Sequence, residues 1–447
     1  MTDRHIVGPG NGRRLVRCGG AMIALLLAPV ASVAPFSQAS AQESAQAAAQ
    51  SAVQGAVQGA VQGDTALVVA LGSRPVWDID VLSYETQTRV QHFVGLFSGK
   101  VRAEFEKSLQ RQTRYGALIR QKLRAAGLPE DMTYLALIES WYDPNAFSKA
   151  AAVGIWQFMA GTGRGVGLRV DWWVDERRDP VRSTEGAVRL LSGLRAQFGS
   201  LYLAAAAYDG GDGRVSRGLT RYAGRLDGVE GEDRFFSLAE TKFLRPETRD
   251  YVPKIIAAAL VGKEPSRYGI KVESLPPLAF DTVRVAGATP LAAVANAAGT
   301  AAEAVHQLNL QLLRGMTPPG DSSWVRVPVG TAGGFDERFA ALDPEERIAV
   351  KRVTTRKGES MSSIARAHGL TAKQLGWYNP KAVRLKSGNL ATGQSILVPT
   401  RETVRVAAEV PNPSLARYPH HPKAAAKGRP VTSAKKPAQP ARKKATH

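Results

Sequence analysis

Cysteine is almost missing. The 447 residues hold one, Cys18, which excludes an intrachain disulfide and a cysteine-built metal cluster. The seven histidines are scattered without ligand spacing, so no metal site is expected, and no glycine-lysine-serine phosphate loop occurs, so no nucleotide cofactor is expected either. The apolar run "GGAMIALLLAPVASV" falls short of the roughly 20 residues that span a bilayer, and Pro29 interrupts it. Acidic charge is in deficit: 39 Asp and Glu face 59 Lys and Arg, a formal net charge of +20. That balance points to an anionic partner, whether nucleic acid, an acidic membrane face or an envelope polymer, or else to arginines on solvated faces added to a basic tail. Aromatics are thin at 7%, yet 44% hydrophobic residues over this length can bury a real core in two to four domains.

The order of segments is informative. Arg13, Arg14 and Arg17 precede the apolar run, and "ASA" follows it, so residues 1–41 read as a secretory signal peptide cut after Ala41, with an uncleaved anchor as the alternative. Export places the protein in the periplasm or cell envelope and makes nucleic acid the weakest of the three anionic partners. Cleavage would leave no cysteine, which suits an oxidising compartment. Residues 42–75 carry AVQG three times up to Gly63, too short a period for a solenoid, and read as a tether. Residues 76–127 place Phe93, Leu96, Val101 and Phe105, then Leu118, Ile119 and Leu123, at helical spacing. In 128–265 helices are predicted at "GLPEDMTYLALIES", with Pro129, Glu130 and Asp131 at its start, at "STEGAVRLLSGLRAQFG", capped by Ser183 or Thr184, at "LYLAAAAYDGG" and from Pro246. No strand-like alternation occurs between Glu139 and Leu260. Beyond Val261 the order β, helix, helix, β comes twice, over 275–330 and 350–400. Residues 401–447, rich in Lys, Arg, Ala and Pro, read as a disordered basic tail suited to an anionic membrane or envelope surface.

One acid stands out. In "YLALIESWYDPNAFS" Glu139 sits in the middle of an apolar run, where on a helix it lies one turn from Leu135 and Tyr142, beside Leu137, Ile138 and Trp141. A carboxylate there is paired, protonated or catalytic.

Four pieces come in order around it: "IESWYDPNAFS", "GIWQFM", "AAYDGGDGRV" and "RPETRDYV". Together they resemble the lysozyme-like lytic transglycosylases of the Slt type, most closely the membrane-bound murein transglycosylase D subgroup, over roughly 76–399. The resemblance implies a mainly α lysozyme-like catalytic domain, peptidoglycan glycan strands as substrate, and Glu139 as the one essential acid. Glu139 would protonate the glycosidic oxygen and then take the proton of the 6-hydroxyl of N-acetylmuramic acid, leaving a 1,6-anhydro end. Its apolar surroundings suit an acid that must hold its proton near neutral pH.

By the same resemblance Ser148 hydrogen-bonds near Glu139, Gln157 and Tyr208 position the sugar, and Phe158 walls the groove. Phe158 and Trp156 read equally well as core, and Gly154 and Gly211 as turn glycines. Glu247 and Tyr251 either line the groove or tie down the last helix. The family pattern has Asn-Ala where this chain has Asp209-Gly210. Asp209 could therefore raise the pKa of Glu139, or, like Asp143, supply the second carboxylate of a hydrolytic muramidase.

"TTRKGESMSSIARAHGLTAKQLGWYNP" and its continuation to Thr400 are similar to a LysM module, a βααβ fold that binds N-acetylglucosamine-containing glycans. Gly358, Glu359, Ser360 and Met361 align with its first loop, and Asn379 and Pro380 with its "NP"; the resemblance makes these six its expected glycan-binding residues. The earlier copy, with Asn309, looks like a degenerate LysM-like unit and reads as a spacer. The expectation is an exported, monomeric transglycosylase. A non-catalytic wall-binding protein is the reading from another class.

Overall fold

The structure is a computed structural model. It describes residues 75–410, Asp321 excepted, together with Asn412 and Pro413. The proposed signal, most of the tether and the tail beyond 413 lie outside the described residues.

The first half is helical: α1 (Thr88–Ser98), α2 (Arg102–Ala125), α3 (Thr133–Ser140), α4 (Ala160–Gly165), α5 (Pro180–Phe198), α6 (Leu201–Gly210), α7 (Asp212–Arg221), α8 (Asp233–Glu240) and α9 (Pro246–Lys263). Between Val252 and Val261, α9 is buried at every residue but Lys254, as a helix must be when neighbours surround it. It packs on α1, α3 and α6. The alanines 204–207 of α6 keep that helix thin enough to lie close to both α5 and α9. Its first turn is doubly capped: Ser200 accepts the Leu203 amide, and the Glu232 carboxylate accepts the amides of Leu201 and Tyr202.

Two local expectations are corrected. Helix α5 starts three residues before Ser183, because Asp179 accepts the amides of Val181 and Arg182 while Pro180 pre-sets the first turn. Ser183 and Thr184 lie buried inside it, their hydroxyls turned back onto the carbonyls of Asp179 and Pro180. Helix α3 stops at Ser140, so Glu139 is its penultimate residue. Trp141 and Tyr142 both take positive φ, 56° and 57°, and swing Tyr142 out of the helical register. Arg111 Nε holds the Trp141 carbonyl at 2.7 Å, and the Tyr142 hydroxyl donates to the Thr133 carbonyl at 2.7 Å.

The second half holds two βααβ units, as the pattern predicts. The first is β1 (Asp281–Val285), α10 (Leu291–Ala298), α11 (Ala302–Leu308) and β2 (Ser323–Val327). After the short helices α12 (Phe335–Ala341) and α13 (Pro344–Arg347), the second is β3 (Val350–Thr354), α14 (Met361–Ala367), α15 (Ala372–Tyr378) and β4 (Ser395–Pro399). Each strand pair is antiparallel, with Val283 opposite Val325 and Val353 opposite Ile396. One asparagine does the same work in both. Asn309 Nδ2 donates to the carbonyls of Val305 and Arg326 while its Oδ1 accepts the Arg326 amide. Asn379 Nδ2 donates to Leu375 and Leu397 while its Oδ1 accepts the Leu397 amide. The side chain thus stitches the end of the second helix to the returning strand.

The first residues of the stretch expected to be disordered are ordered. Arg401–Glu409 form helix α16, capped by Thr400, with Val404 and Ala407 buried. A short amphipathic segment has too weak a local signal to be told from a polar tail, and it is ordered by tertiary burial. Trp173 and Val174 from the helical half enter the apolar cluster of the two βααβ units.

Candidate active site

A cleft of about 390 Å³ opens between the end of α3, the loop 146–158, α6 and α9, and Glu139 lines it. Burial pushes the Glu139 carboxyl up from its ordinary 4.5 to about 7. Within that value the negative charges of Asp209 and Glu247 act in the same direction as burial, while the Tyr251 hydrogen bond and the Lys254 ammonium oppose it. The Tyr251 hydroxyl donates to Glu139 Oε1 at 2.5 Å. Burial holds that phenol well above its ordinary pKa, so it is a neutral donor at every working pH. Tyr251 therefore belongs to the cleft as well as to the core.

Helix α9 supplies three groups on one face. Glu247, Tyr251 and Lys254 recur at intervals of four and three and all line the cleft. Lys254, which sequence reasoning missed, is the cation facing Glu139, and its Nζ lies 5.3 Å from the centre of the Phe93 ring. The spacing from Glu247 and Tyr251 was the signal that could have found it.

Helix α6 brings Tyr208 and Asp209. The Tyr208 hydroxyl donates to the Trp156 carbonyl at 2.7 Å, which ties the helix to the loop opposite. Asp209 Oδ2 accepts from the Thr248 hydroxyl at 2.6 Å, and burial raises its pKa. Gly210 fits this pair, since a Cβ there would meet Thr248 Oγ1 at 2.8 Å. Asp143 does not line the cleft; its Oδ1 accepts the Asn145 amide in a turn.

The loop 146–158 forms the opposite wall, with Ser148, Ala152, Gln157 and Phe158 lining it. Ser148 Oγ accepts the amides of Ala150 and Ala152, so it shapes the loop within the cleft that holds Glu139. Gln157 takes φ 48° and donates to the carbonyls of Gly154 and Ala146. Phe158 is buried yet lines the cleft, whereas Trp156 is core, its Nε1 donating to Thr184 at 3.0 Å. Gly154 has φ +84°, and a Cβ there would lie 1.8 Å from the Arg177 carbonyl oxygen. Gly211, at φ +87°, has open space where its Cβ would be, so only the backbone conformation demands glycine. A second hollow of about 790 Å³ shares Thr162, Leu190 and Tyr208 with it and extends the groove.

Among the described residues no group of three or more His, Cys, Asp or Glu is placed to hold a metal ion. A half-buried acid protonated near neutrality, gripped by a neutral donor in an elongated groove, is equipped for proton transfer to a leaving oxygen.

Comparison with known families matches three stretches of the chain. Residues 117–227 match the transglycosylase SLT domain. That stretch is similar to the transglycosylase SLT family. Behind the SLT domain, residues 279–343 match the LysM-like domain of the lytic transglycosylase MltD, and residues 353–399 match the LysM domain. The chain is 30% identical over 289 residues to the membrane-bound lytic murein transglycosylase D of Escherichia coli K12, covering 62% of this chain and 61% of that protein. It is 36% identical over 104 residues to the peptidoglycan transglycosylase gp16 of Escherichia phage T7, covering 23% of this chain and 8% of that protein. A solved structure of the lytic transglycosylase Slt of Pseudomonas aeruginosa matches at 24% identity and a TM-score of 0.28, over 34% of this chain and 24% of that one. The SLT match stops before Glu247, Tyr251 and Lys254, which the fold itself brings to Glu139.

In the LysM domain the aligned residues divide. Gly358 holds φ +86°, Glu359 accepts the Arg356 amide, Ser360 caps α14, and Met361 is buried core. Asn379 is the stitch described above. Pro380 is exposed.

Proposed function

We propose that the protein is a peptidoglycan lytic transglycosylase with Glu139 as its single acid and base. The observation that carries this reading is the Glu139 carboxyl at about 7, held by Tyr251 in the cleft. The protonated acid delivers its proton to the glycosidic oxygen between N-acetylmuramic acid and N-acetylglucosamine. The carboxylate left behind, with Tyr251 and Lys254 favouring its charge, takes the proton of the 6-hydroxyl as that oxygen closes on the anomeric carbon.

Ser148, Gln157, Phe158, Tyr208, Asp209 and Glu247 are the substrate-contacting residues, Gly154 shapes their loop, and the LysM domain grips the glycan. The protein acts as an exported monomer in the cell envelope. Among the described residues no helix is long and apolar enough to cross a membrane.

Asp209, a second carboxylate in the same cleft, is what favours hydrolysis as the second reading. Two features weigh against it: one oxygen of Asp209 is engaged by Thr248, and burial makes it reluctant to ionise, so it is a hindered base. Digestion of isolated murein sacculi by the wild type and Glu139→Gln, with product masses, tests both. Anhydro-ended products from the wild type alone support the transglycosylase. Products carrying the added water make it a muramidase, and equal clearing by both proteins, or by neither, removes the catalytic reading.

A further inference from the structure

Arg177 lies behind the cleft wall. Its side chain is fully buried and all five of its N–H donors are engaged. Nε and Nη2 grip the Asp175 carboxylate, both at 2.8 Å. Nη1 donates to the carbonyls of Ala151 and Phe158, at 3.2 and 2.9 Å, across the two ends of the loop that carries Ala152 and Gln157 into the cleft. The last donor, on Nη2, goes to the carbonyl of Pro413, at 3.4 Å, from a segment that comes after the LysM domain.

A second buried arginine ties down the same segment. Arg314 of the LysM-like unit donates to the carbonyls of Ala407 and Val410, and its Nε donates to the Trp172 carbonyl at 2.8 Å. Its guanidinium lies 3.7 Å from the centre of the Trp172 ring, and that ring stacks on Trp377 of the LysM helix α15 at 4.2 Å. Backbone bonds close the joint: Leu313 donates to the Trp173 carbonyl, and Asp175 donates to the Gln311 carbonyl. The loop from Trp172 to Arg177 therefore touches the LysM domain at one end and the cleft wall at the other.

We propose that Arg177 is a positioning residue for the cleft, and that the LysM domain and the segment up to Pro413 buttress it through Trp172 and Arg314. This rests on the lytic reading of the cleft. A LysM domain acting only as a glycan anchor would need no such joint, and it would leave the turnover of short substrates untouched. Contiguous packed side chains and a shared hydrogen-bonding arginine are a physical path by which one end shifts the other.

Full-length variants test it on two substrates: intact sacculi, and a soluble glycan fragment too short to reach from the cleft to the LysM domain. For Arg177→Lys and Trp172→Ala we expect kcat on the short fragment to fall about tenfold or more, since small misplacements of a cleft wall cost that much, with KM changed less than kcat. Sacculus binding, read by co-sedimentation in a Glu139→Gln background, is expected to stay at the wild-type level. Hydrogen exchange supplies an arm independent of activity. In Trp172→Ala the Ser148 and Gly154 amides, which bond to Ala152 and Ala146, should lose protection while the β3 and β4 amides keep theirs. Short-fragment turnover within twofold of wild type in both variants, or unchanged protection of those two amides, overturns the proposal. A wild type inactive on both substrates would sink the lytic reading, and the exchange result would still decide the buttress.

Discussion

Replacing Tyr251 by phenylalanine removes a hydroxyl that donates to Glu139 Oε1. That bond stabilises the ionised carboxylate more than the neutral acid, and it lowers the pKa that burial has raised. A hydrogen bond to a charged group contributes about 1.5–3 kcal/mol, and the neutral acid retains part of it, so the differential lost is about 1–2 kcal/mol. At 1.36 kcal/mol per pKa unit this moves Glu139 up by about one unit, from about 7 towards about 8. The acid is the form that starts the reaction, so activity is lost as pH rises through that value, and the variant should keep its activity to higher pH. The assay is the pH profile of kcat/KM for sacculus digestion. The alkaline limb is expected to shift up by about one unit, with a lower plateau because the carboxyl is held less firmly. A limb that stays in place, or moves to lower pH, refutes the account of what sets this acid.

Glu139→Gln should be more stable than wild type at alkaline pH. A carboxyl raised from 4.5 to about 7 gives stability that is full below 4.5 and lost as pH rises through 7, so the gain by Gln approaches about 3 kcal/mol at pH 8 as an upper bound and vanishes near pH 4, read by urea unfolding. Asp209→Asn removes a like charge facing Glu139, so the alkaline limb of kcat/KM should shift to lower pH while the products stay anhydro-ended. Gly154→Ala puts a Cβ against the Arg177 carbonyl at a positive φ and should cost about 3 kcal/mol, seen as a lowered Tm with loss of activity. Asn379→Ala removes three hydrogen bonds and should destabilise the LysM domain by about 2–3 kcal/mol, weakening sacculus binding in proportion to the fraction unfolded.

The helical half, the two βααβ units and the apolar setting of Glu139 were legible in the sequence, because an acid among apolar residues and period-2 runs flanking helical ones are local patterns. What sets the chemistry of Glu139 was less legible. Tyr251 and Lys254 are more than 110 positions away, and only the packing of α9 on α3 brings them to the acid. Resemblance put Asn379 among the glycan contacts. The structure uses its amide to join helix and strand, a role set by a partner at Leu397 that no local spacing reveals. Arg177 escaped notice because "DERRDP" contains two adjacent arginines, and only burial separates Arg177, which has no exposed side-chain surface, from its half-buried neighbour Arg178. Helix α16 was hidden by its polar composition.

The most direct measurement is the titration of the Glu139 carboxyl itself, followed by carbon NMR and assigned by the signal missing from Glu139→Gln. The account places the midpoint near 7, with a shift upward in Tyr251→Phe. A midpoint at the ordinary glutamate value of 4.5 would mean that the cleft does not hold the proton, and it would contradict the mechanism at its first step.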